Sequence, residues 1–154
     1  MNKIINFSKL KKISGIKNKI ILTSGCFDIF HAGHASYLRE AKEKIEGTLV
    51  VAVNSDKSIK EIKGKNRPIN NLKSRLTVLN SIEYIDYIIV FDEKTPEKVL
   101  LKLKPNIFFK GGDYKNSKNN NFFKKLKKNN CKLILLSQYK NLSSTKILKK
   151  INTK

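Results

Sequence analysis

Five short apolar runs, set apart by helix-like stripes, constrain the fold of this chain more than any other feature. They are KIILTS at 19–24, TLVVAVNS at 48–55, DYIIVFD at 86–92, NIFFK at 106–110 and CKLILLS at 131–137. Each is short and rich in branched or aromatic side chains, as strands are. The second is apolar on successive residues, which suits a strand covered on both faces. Between the runs, Tyr37, Leu38, Ala41 and Ile45 recur at helical spacing, and so do Leu72, Leu76, Leu79 and Ile82. The first stripe predicts a helix over 33–46, stopped by Gly47. Thr95 and Pro96 read as the cap and first turn of another, with Val99, Leu100 and Leu103 inward and Pro105 ending it.

Residues 56–70, which include Gly64 and Pro68, read as a loop. The Asn/Lys-rich segment 115–130 is low in complexity and reads as one loose helix. Ser143 to Lys150 reads as a last helix with Ile147, Leu148 and Ile151 inward. Strands alternating with helices imply a parallel sheet with right-handed crossovers. The expected class is therefore α/β, a single Rossmann-like, doubly wound domain with a five-stranded parallel sheet. Residues 1–17 read as an N-terminal helical arm, packed through Ile5, Phe7, Leu10 and Ile13, and 18–154 as the domain itself. Ligands of such sheets lie at the carboxyl ends of the strands, near the switch in strand order.

Composition narrows the partners. The 154 residues suit one domain with one core. No long uncharged apolar run reads as a membrane span. The N-terminus is too interrupted by lysine for a secretory signal, so a cytoplasmic location is expected. Cys26 and Cys131 are too few for a disulfide framework. The formal net charge of +21 raises the question of nucleic acid. Only Arg39, Arg67 and Arg75 among the basic residues are arginine, and the lysines are spread amid Ile and Asn. That is drift in composition rather than a built patch, and no nucleic-acid partner is expected. The positive field still draws anionic substrates, screened within about 8 Å at physiological salt.

The chemistry concentrates in TSGCFDIFHAGH, residues 23–34, which holds both histidines of the chain. Gly25 ends the first run and HAGH opens the next helix. A helix start carries unpaired N–H groups and partial positive charge, so it accepts phosphate. His31 and His34, three residues apart, fall on one side of that turn, and Gly33 lets a ligand approach the backbone closely. Such a pair suits attack by an anionic phosphate on the α-phosphorus of a nucleoside triphosphate. No strong base is needed there, and positioned donors relieve the charge on the phosphoryl oxygens. Two capping or surface histidines are the bland alternative. A zinc site would need further ligands, and Cys26, Asp28 and Cys131 make no recognisable spacing, so no metal-ligand set is expected.

GCFDIFHAGH resembles the signature of the cytidylyltransferase-like nucleotidyltransferases, whose hallmark is His-x-Gly-His. The related motif of class I aminoacyl-tRNA synthetases belongs to much longer chains. VVAVNSDKSIKEIKGKNRPIN, FFKGGDYK and SSTKILKKI follow in order. Together they are similar to the adenylyltransferase domain of bifunctional heptose-phosphate kinase/adenylyltransferases, over roughly residues 7–151. The resemblance implies transfer of AMP from ATP to D-glycero-β-D-manno-heptose 1-phosphate, giving ADP-heptose and pyrophosphate for lipopolysaccharide or another surface glycan. It also implies Mg²⁺ accompanying ATP and a homodimer. A chain this short has no room for the kinase half, so a separate heptose kinase is expected. Glycerol-3-phosphate cytidylyltransferase is the rival enzyme. A basic RNA-binding module on an inactive nucleotidyltransferase fold is the rival of another class, although arginine is scarce and tryptophan absent.

The resemblance also assigns residues. Gly25, Cys26, Phe27 and Asp28 match the first nucleotide-contacting turn. Asp28 is expected to orient it or to bind Mg²⁺ through water, and Cys26 to be buried and inert. Asn54 and Asp56 close the second strand, facing substrate. Lys63 matches the lysine that reaches the triphosphate, with Lys65 as its near rival. Arg67 is expected to hold phosphate from a closing loop, and Arg75 matches the family's helix arginine. Lys110, Gly111, Gly112 and Asp113 follow the fourth strand, with Asp113 set to accept bonds from sugar hydroxyls. Ser143, Ser144 and Thr145 start the last helix as a cap and as further phosphate donors. Asn141 and Leu142 stand where relatives usually carry a glycine, a mild departure because Asn tolerates left-handed dihedrals.

Overall fold

The computed structural model describes residues 2–111, 121–136 and 143–153. Its strands are β1 (Ile4–Ile5), β2 (Ile20–Gly25), β3 (Thr48–Asn54), β4 (Tyr87–Phe91), β5 (Ile107–Gly111) and β6 (Lys132–Leu136). They form one sheet in the order β1-β4-β3-β2-β5-β6. Every neighbouring pair is parallel. The sheet thus has six strands where the sequence predicts five. The extra one is β1, too short for any periodicity to show, which pairs Ile4 with Ile88 and Ile5 with Ile89 at the edge. The segment before residue 18 is therefore not helical throughout. A 3-10 turn, Phe7–Lys9, follows β1, and then the single turn α1 (Leu10–Ile13), whose Leu10 and Ile13 are buried.

The remaining helices are α2 (Ala32–Glu43), α3 (Asp56–Lys63), α4 (Leu72–Asn80), α5 (Glu97–Leu103), α6 (Asn121–Lys128) and α7 (Ser144–Asn152). Residues 56–63, expected as loop, are helical because Ser55 caps them, its side chain accepting from the Ser58 amide at 3.2 Å. Ile59 supplies the buried face of that helix. Pro96, not Thr95, occupies the cap position of α5 and makes no side-chain capping bond. Ile151, expected inward on α7, is exposed. Gly47 lies beyond the end of α2 and serves a different purpose. A Cβ there would stand 2.4 Å from the Lys19 carbonyl oxygen, so only glycine lets the chain pass into β3.

Side chains alternate across the sheet with period two and build a core on each face. On one face, Leu22, Val50, Ile89 and Phe108 pack under α1, α5 and α6 through residues such as Leu10, Leu100, Phe122 and Leu126. On the other, Ile21, Val51, Ile88 and Phe109 pack under Leu38 and Ala41 of α2 and Leu79 of α4. The chain steps from β2 to β3 and β4 towards one edge, then returns to β5 on the other side of β2. The switch in strand order lies between β2 and β5, and their carboxyl ends, Gly25 and Lys110–Gly111, frame the crevice where such sheets take ligands. Among the described residues no helix is long and apolar enough to cross a membrane.

Candidate active site

The turn leaving β2 is built around Phe27. Its φ of 49° lies in the left-handed region, and its buried ring packs on the Gly25 backbone, where a Cβ would come within 3.1 Å. That turn delivers His31 to the cap position of α2 in extended conformation, with no side-chain capping bond. The rings of His31 and His34 stack, 3.9 Å between centroids and 21° between planes. Phe27 and Phe30 flank the His34 ring at 5.1 and 5.5 Å. The Nδ1 atoms of both histidines are buried without a hydrogen-bond partner. Buried polar atoms normally have partners, so two such atoms side by side make this pair the candidate for contact with a ligand. Burial pushes both pKa values down. That of His34 falls to about 4, with the neighbouring His31 and Lys63 charges adding to desolvation. At neutral pH both rings are uncharged, and each offers one N–H.

Asp28 orients this turn, the first of its two expected roles, and Arg67 and Arg75, expected at the ligand, pack against the same turn. Asp28 is buried, and its Oδ1 accepts from the amides of Ile69 at 2.8 Å and Asn70 at 2.9 Å. Its Oδ2 pairs with Arg67 Nη2 at 2.7 Å. Both oxygens are therefore committed to the 67–70 loop, which does not fit the water-mediated Mg²⁺ role. Among the described residues no three His, Cys, Asp or Glu side chains gather into a metal-ligand set. Arg67 is drawn inward by its pairing with Asp28, while its Nε is buried without a hydrogen-bond partner. Arg75 has a fully buried side chain. Its Nη1 donates to the carbonyls of Cys26 at 2.7 Å and Asn54 at 2.8 Å, Nη2 to Asp56 Oδ1 at 2.8 Å, and Nε to the Asn70 carbonyl at 3.1 Å. Arg75 thus ties together the ends of β2 and β3 and is a positioning residue. Asp56 serves the same brace, its Oδ2 accepting from the Leu72 amide at the start of α4.

Beside the turn, at the strand ends, opens a cavity of about 330 Å³. Gly25, Cys26, Asn54, Lys63, Lys94 and Lys110 contribute to its walls. Cys26 is only partly buried and faces this space, not the core. Its Sγ lies 3.8 Å from Asn54 Oδ1. Asn54 is buried, and its amide donates to Ser58 Oγ at 2.9 Å. Lys110 Nζ donates to the Ser24 carbonyl at 3.2 Å. Desolvation, with Lys63 nearby, holds the Lys110 ammonium below the usual lysine range. Lys63 ends α3 and is exposed, and its charge acts on both His34 and Lys110.

The remaining expected residues frame the same region. Gly33 lies in the first turn of α2. Gly111 ends β5 against the Tyr37 ring, where a Cβ would come within 3.2 Å. Ser143 caps α7, accepting from the Lys146 amide at 3.2 Å. Ser144 Oγ donates to the Ile29 carbonyl at 3.2 Å, which ties the start of α7 to the histidine turn. Thr145 is exposed in the first turn of α7. Gly112, Asp113, Asn141 and Leu142 lie outside the described residues. The sequence reading missed Asn70, whose side-chain amide donates to the Asp28 carbonyl at 2.5 Å. It also missed the aromatic wall of the cavity, where Phe91 closes β4 and Phe122 and Phe123 stand on α6.

Comparison with known proteins agrees with this geometry. The cytidylyltransferase-like family model matches residues 22–150. The chain is 47% identical over 114 residues to Bifunctional protein HldE of Actinobacillus succinogenes, covering 74% of this chain and 23% of the relative. It is 46% identical over 116 residues to Bifunctional protein HldE of Campylobacter fetus subsp. fetus, covering 75% and 25%. The chain thus spans about a quarter of the length of these curated relatives. A crystal structure of the lipopolysaccharide core biosynthesis protein from Thermoplasma volcanium GSS1 superposes with a TM-score of 0.64 at 30% identity, over 79% of this chain and 98% of that one. Pantoate-beta-alanine ligase from Francisella tularensis, with a TM-score of 0.65 over 99% of this chain and 77% of that one, is 21% identical and shares the fold. On the family match and the histidine turn together, the chain belongs to the cytidylyltransferase-like family of nucleotidyltransferases.

Proposed function

We propose that this chain transfers AMP from ATP to a heptose 1-phosphate, giving ADP-heptose and pyrophosphate. The observation that carries the reading is the stacked, desolvated pair His31–His34 at the start of α2, beside the switch in strand order. The identity to the HldE proteins and the likeness to a lipopolysaccharide core biosynthesis protein support the choice of sugar over glycerol phosphate.

An oxygen of the acceptor phosphate attacks the α-phosphorus of ATP and forms the new P–O bond. The bond from that phosphorus to the bridging oxygen breaks, and pyrophosphate leaves with the electron pair. No proton must be taken from the nucleophile, so neutral histidines suffice. Their task is to donate to phosphoryl oxygens as charge builds, in a site already desolvated around them. Each such donor contributes about 3 kcal/mol to lowering the barrier. Lys63 and Lys110 supply the positive charge that the neutral rings lack. Asp28, Arg67 and Arg75 keep the turn in place, so the donors need not reorganise during reaction. Mg²⁺ accompanying ATP would offset the charge of the triphosphate, and no set of side chains among the described residues gathers to hold it independently of the substrate.

Replacing His31 or His34 with Ala is expected to lower the rate of pyrophosphate release from ATP and heptose 1-phosphate about a hundredfold or more, with the circular dichroism spectrum unchanged. Near-normal turnover in both variants would overturn the reading. Comparing ATP with CTP in the same assay separates it from glycerol-3-phosphate cytidylyltransferase.

A further inference from the structure

We propose that Tyr37 is a positioning residue for the transfer reaction: its phenol, hydrogen-bonded to both strands where β2 and β5 part, fixes how far the histidine helix stands from the end of β5. This rests on the nucleotidyl-transfer reading above and adds the group that holds the two sides of the crevice at a fixed separation.

The sheet forks at this point. β2 pairs with β5 from Ile21–Ile107 to Thr23–Phe109. Beyond that pair β2 stays with β3 as far as Gly25, and β5 stays with β6 as far as Gly111. Each strand is then held by its outer neighbour, and side chains span the gap between them. The Tyr37 hydroxyl donates to the Phe109 carbonyl of β5 at 2.8 Å and is also hydrogen-bonded to Thr23 Oγ1 of β2. A phenol has one proton, so with that proton on Phe109 it accepts from the Thr23 hydroxyl. Thr23 is fully buried, which keeps water from replacing it. Lys110 Nζ crosses in the other direction, to the Ser24 carbonyl at 3.2 Å.

The ring is seated as closely as the hydroxyl. It packs on Phe109, 5.6 Å between centroids. Gly111 lies against its other neighbour position, where a Cβ would come within 3.2 Å of the ring. Among the described residues the glycine with a left-handed φ is Gly64, not Gly111. The Tyr37 ring, rather than backbone conformation, is therefore what leaves little room for a side chain at the end of β5. A bulky phenol on α2 and a bare residue on β5 are matched to each other.

The place of Tyr37 on α2 gives this fit its consequence. His34 and Tyr37, three residues apart, share a face of the helix, and His31 stands at its cap. The histidines have little to aim them. Both Nδ1 atoms are buried without a hydrogen-bond partner, and His31 makes no side-chain capping bond. Their direction follows from where the first turns of α2 lie, and the Tyr37 hydroxyl ties those turns to the strand that carries Lys110 and Gly111. Transfer depends on donors held at a set distance from the phosphorus, and a misplacement of about 1 Å costs about a hundredfold in rate.

Tyr37→Phe tests this, because it keeps the ring and removes only the hydroxyl. In steady-state pyrophosphate release from ATP and heptose 1-phosphate, kcat is expected to fall about tenfold while both KM values stay within about twofold. A hydroxyl with a merely structural role would lower the urea midpoint and leave kcat alone, and that result would overturn the proposal. Thr23→Val removes the other end of the same relay, so the double variant should lose no more rate than Tyr37→Phe alone. Losses that multiply would count against a shared action and overturn it as well. The chain has only two histidines, so their ring Cε1–H signals are read directly by NMR. Phe preserves the ring current of Tyr37, and movement of those signals in Tyr37→Phe therefore reports relocation of the pair. Unmoved signals would overturn the proposal whatever the rate. If the unaltered protein releases no pyrophosphate from ATP and heptose 1-phosphate, the transfer reading fails, and the histidine signals alone decide whether Tyr37 positions the pair.

Discussion

His34 is held between Phe27 and Phe30 with His31 stacked upon it, and that enclosure fixes its charge state. The folded protein binds a proton there at a pKa of about 4, against an ordinary value of 6.5 in the unfolded chain. Between those values the unfolded state holds more protons, so the neutral ring's contribution to stability is complete above about 6.5 and is lost as pH falls towards about 4. Over that window the loss reaches up to about 3 kcal/mol. Denaturant unfolding at pH 7 and pH 4.5 checks this. The unaltered protein should lose about 2 kcal/mol more between the two than His34→Gln, whose amide does not titrate in this range. Equal losses would show that His34 titrates as if exposed. The two histidines were legible in the sequence because their spacing and the preceding Gly-Cys-Phe-Asp are local. Arg75 was not legible in the same way. Its role is set by carbonyls 49 and 21 residues away, which only folding brings to its guanidinium.

At the level of elements, the 67–70 loop is fastened to the turn after β2 by one buried pair, Asp28 and Arg67, and by two amides on the same carboxylate. Asp28→Asn leaves the Arg67 charge with 11% side-chain exposure and no counter-charge opposite. Breaking a buried pair on one side costs about 3 kcal/mol, largely because the surviving charge is stranded. Urea unfolding of Asp28→Asn, Arg67→Met and the double variant is expected to show a double loss smaller than the sum of the single losses. Strict additivity would mean that the two side chains do not act as a unit. Trypsin should also cut sooner at Lys65 in Asp28→Asn, since the loop is then held less firmly. The sequence predicted the five longer strands because each carries a short apolar run, buried in β2 and β3 and half-exposed in the edge strand β6, where Leu135 faces out. It missed β1, where two isoleucines carry no period, and α3, where Gly64 and Pro68 drew attention from the Ser55 cap and the spacing of Ile59 and Ile62. It saw only a loose helix at 115–130, yet Phe122 and Leu126, four residues apart, are buried on one face of α6.

The whole molecule carries a formal charge of +21, and its lysines make a field rather than a contact. Such a field concentrates a polyanionic substrate near the surface and raises encounter rates, more strongly at low salt. The screening length falls from about 30 Å at 0.01 M to about 10 Å at 0.1 M salt. The cavity at the strand ends is lined in part by Lys63, Lys94 and Lys110, so the general field and the local charges act in the same direction. They separate by kinetics. Raising potassium chloride from 20 to 300 mM is expected to lower kcat/KM for ATP about tenfold while leaving kcat within about twofold, because the screened part is encounter and the enclosed part is chemistry. Replacing the exposed Lys127 and Lys128 of α6 with Gln should flatten that salt slope without altering kcat, since neither side chain lines the cavity. Lys63→Met should instead lower kcat and leave most of the slope in place. If kcat itself fell steeply with salt in the unaltered protein, the transition-state charge would be stabilised by solvent-exposed lysines, and the enclosed histidine pair would not be the main source of rate.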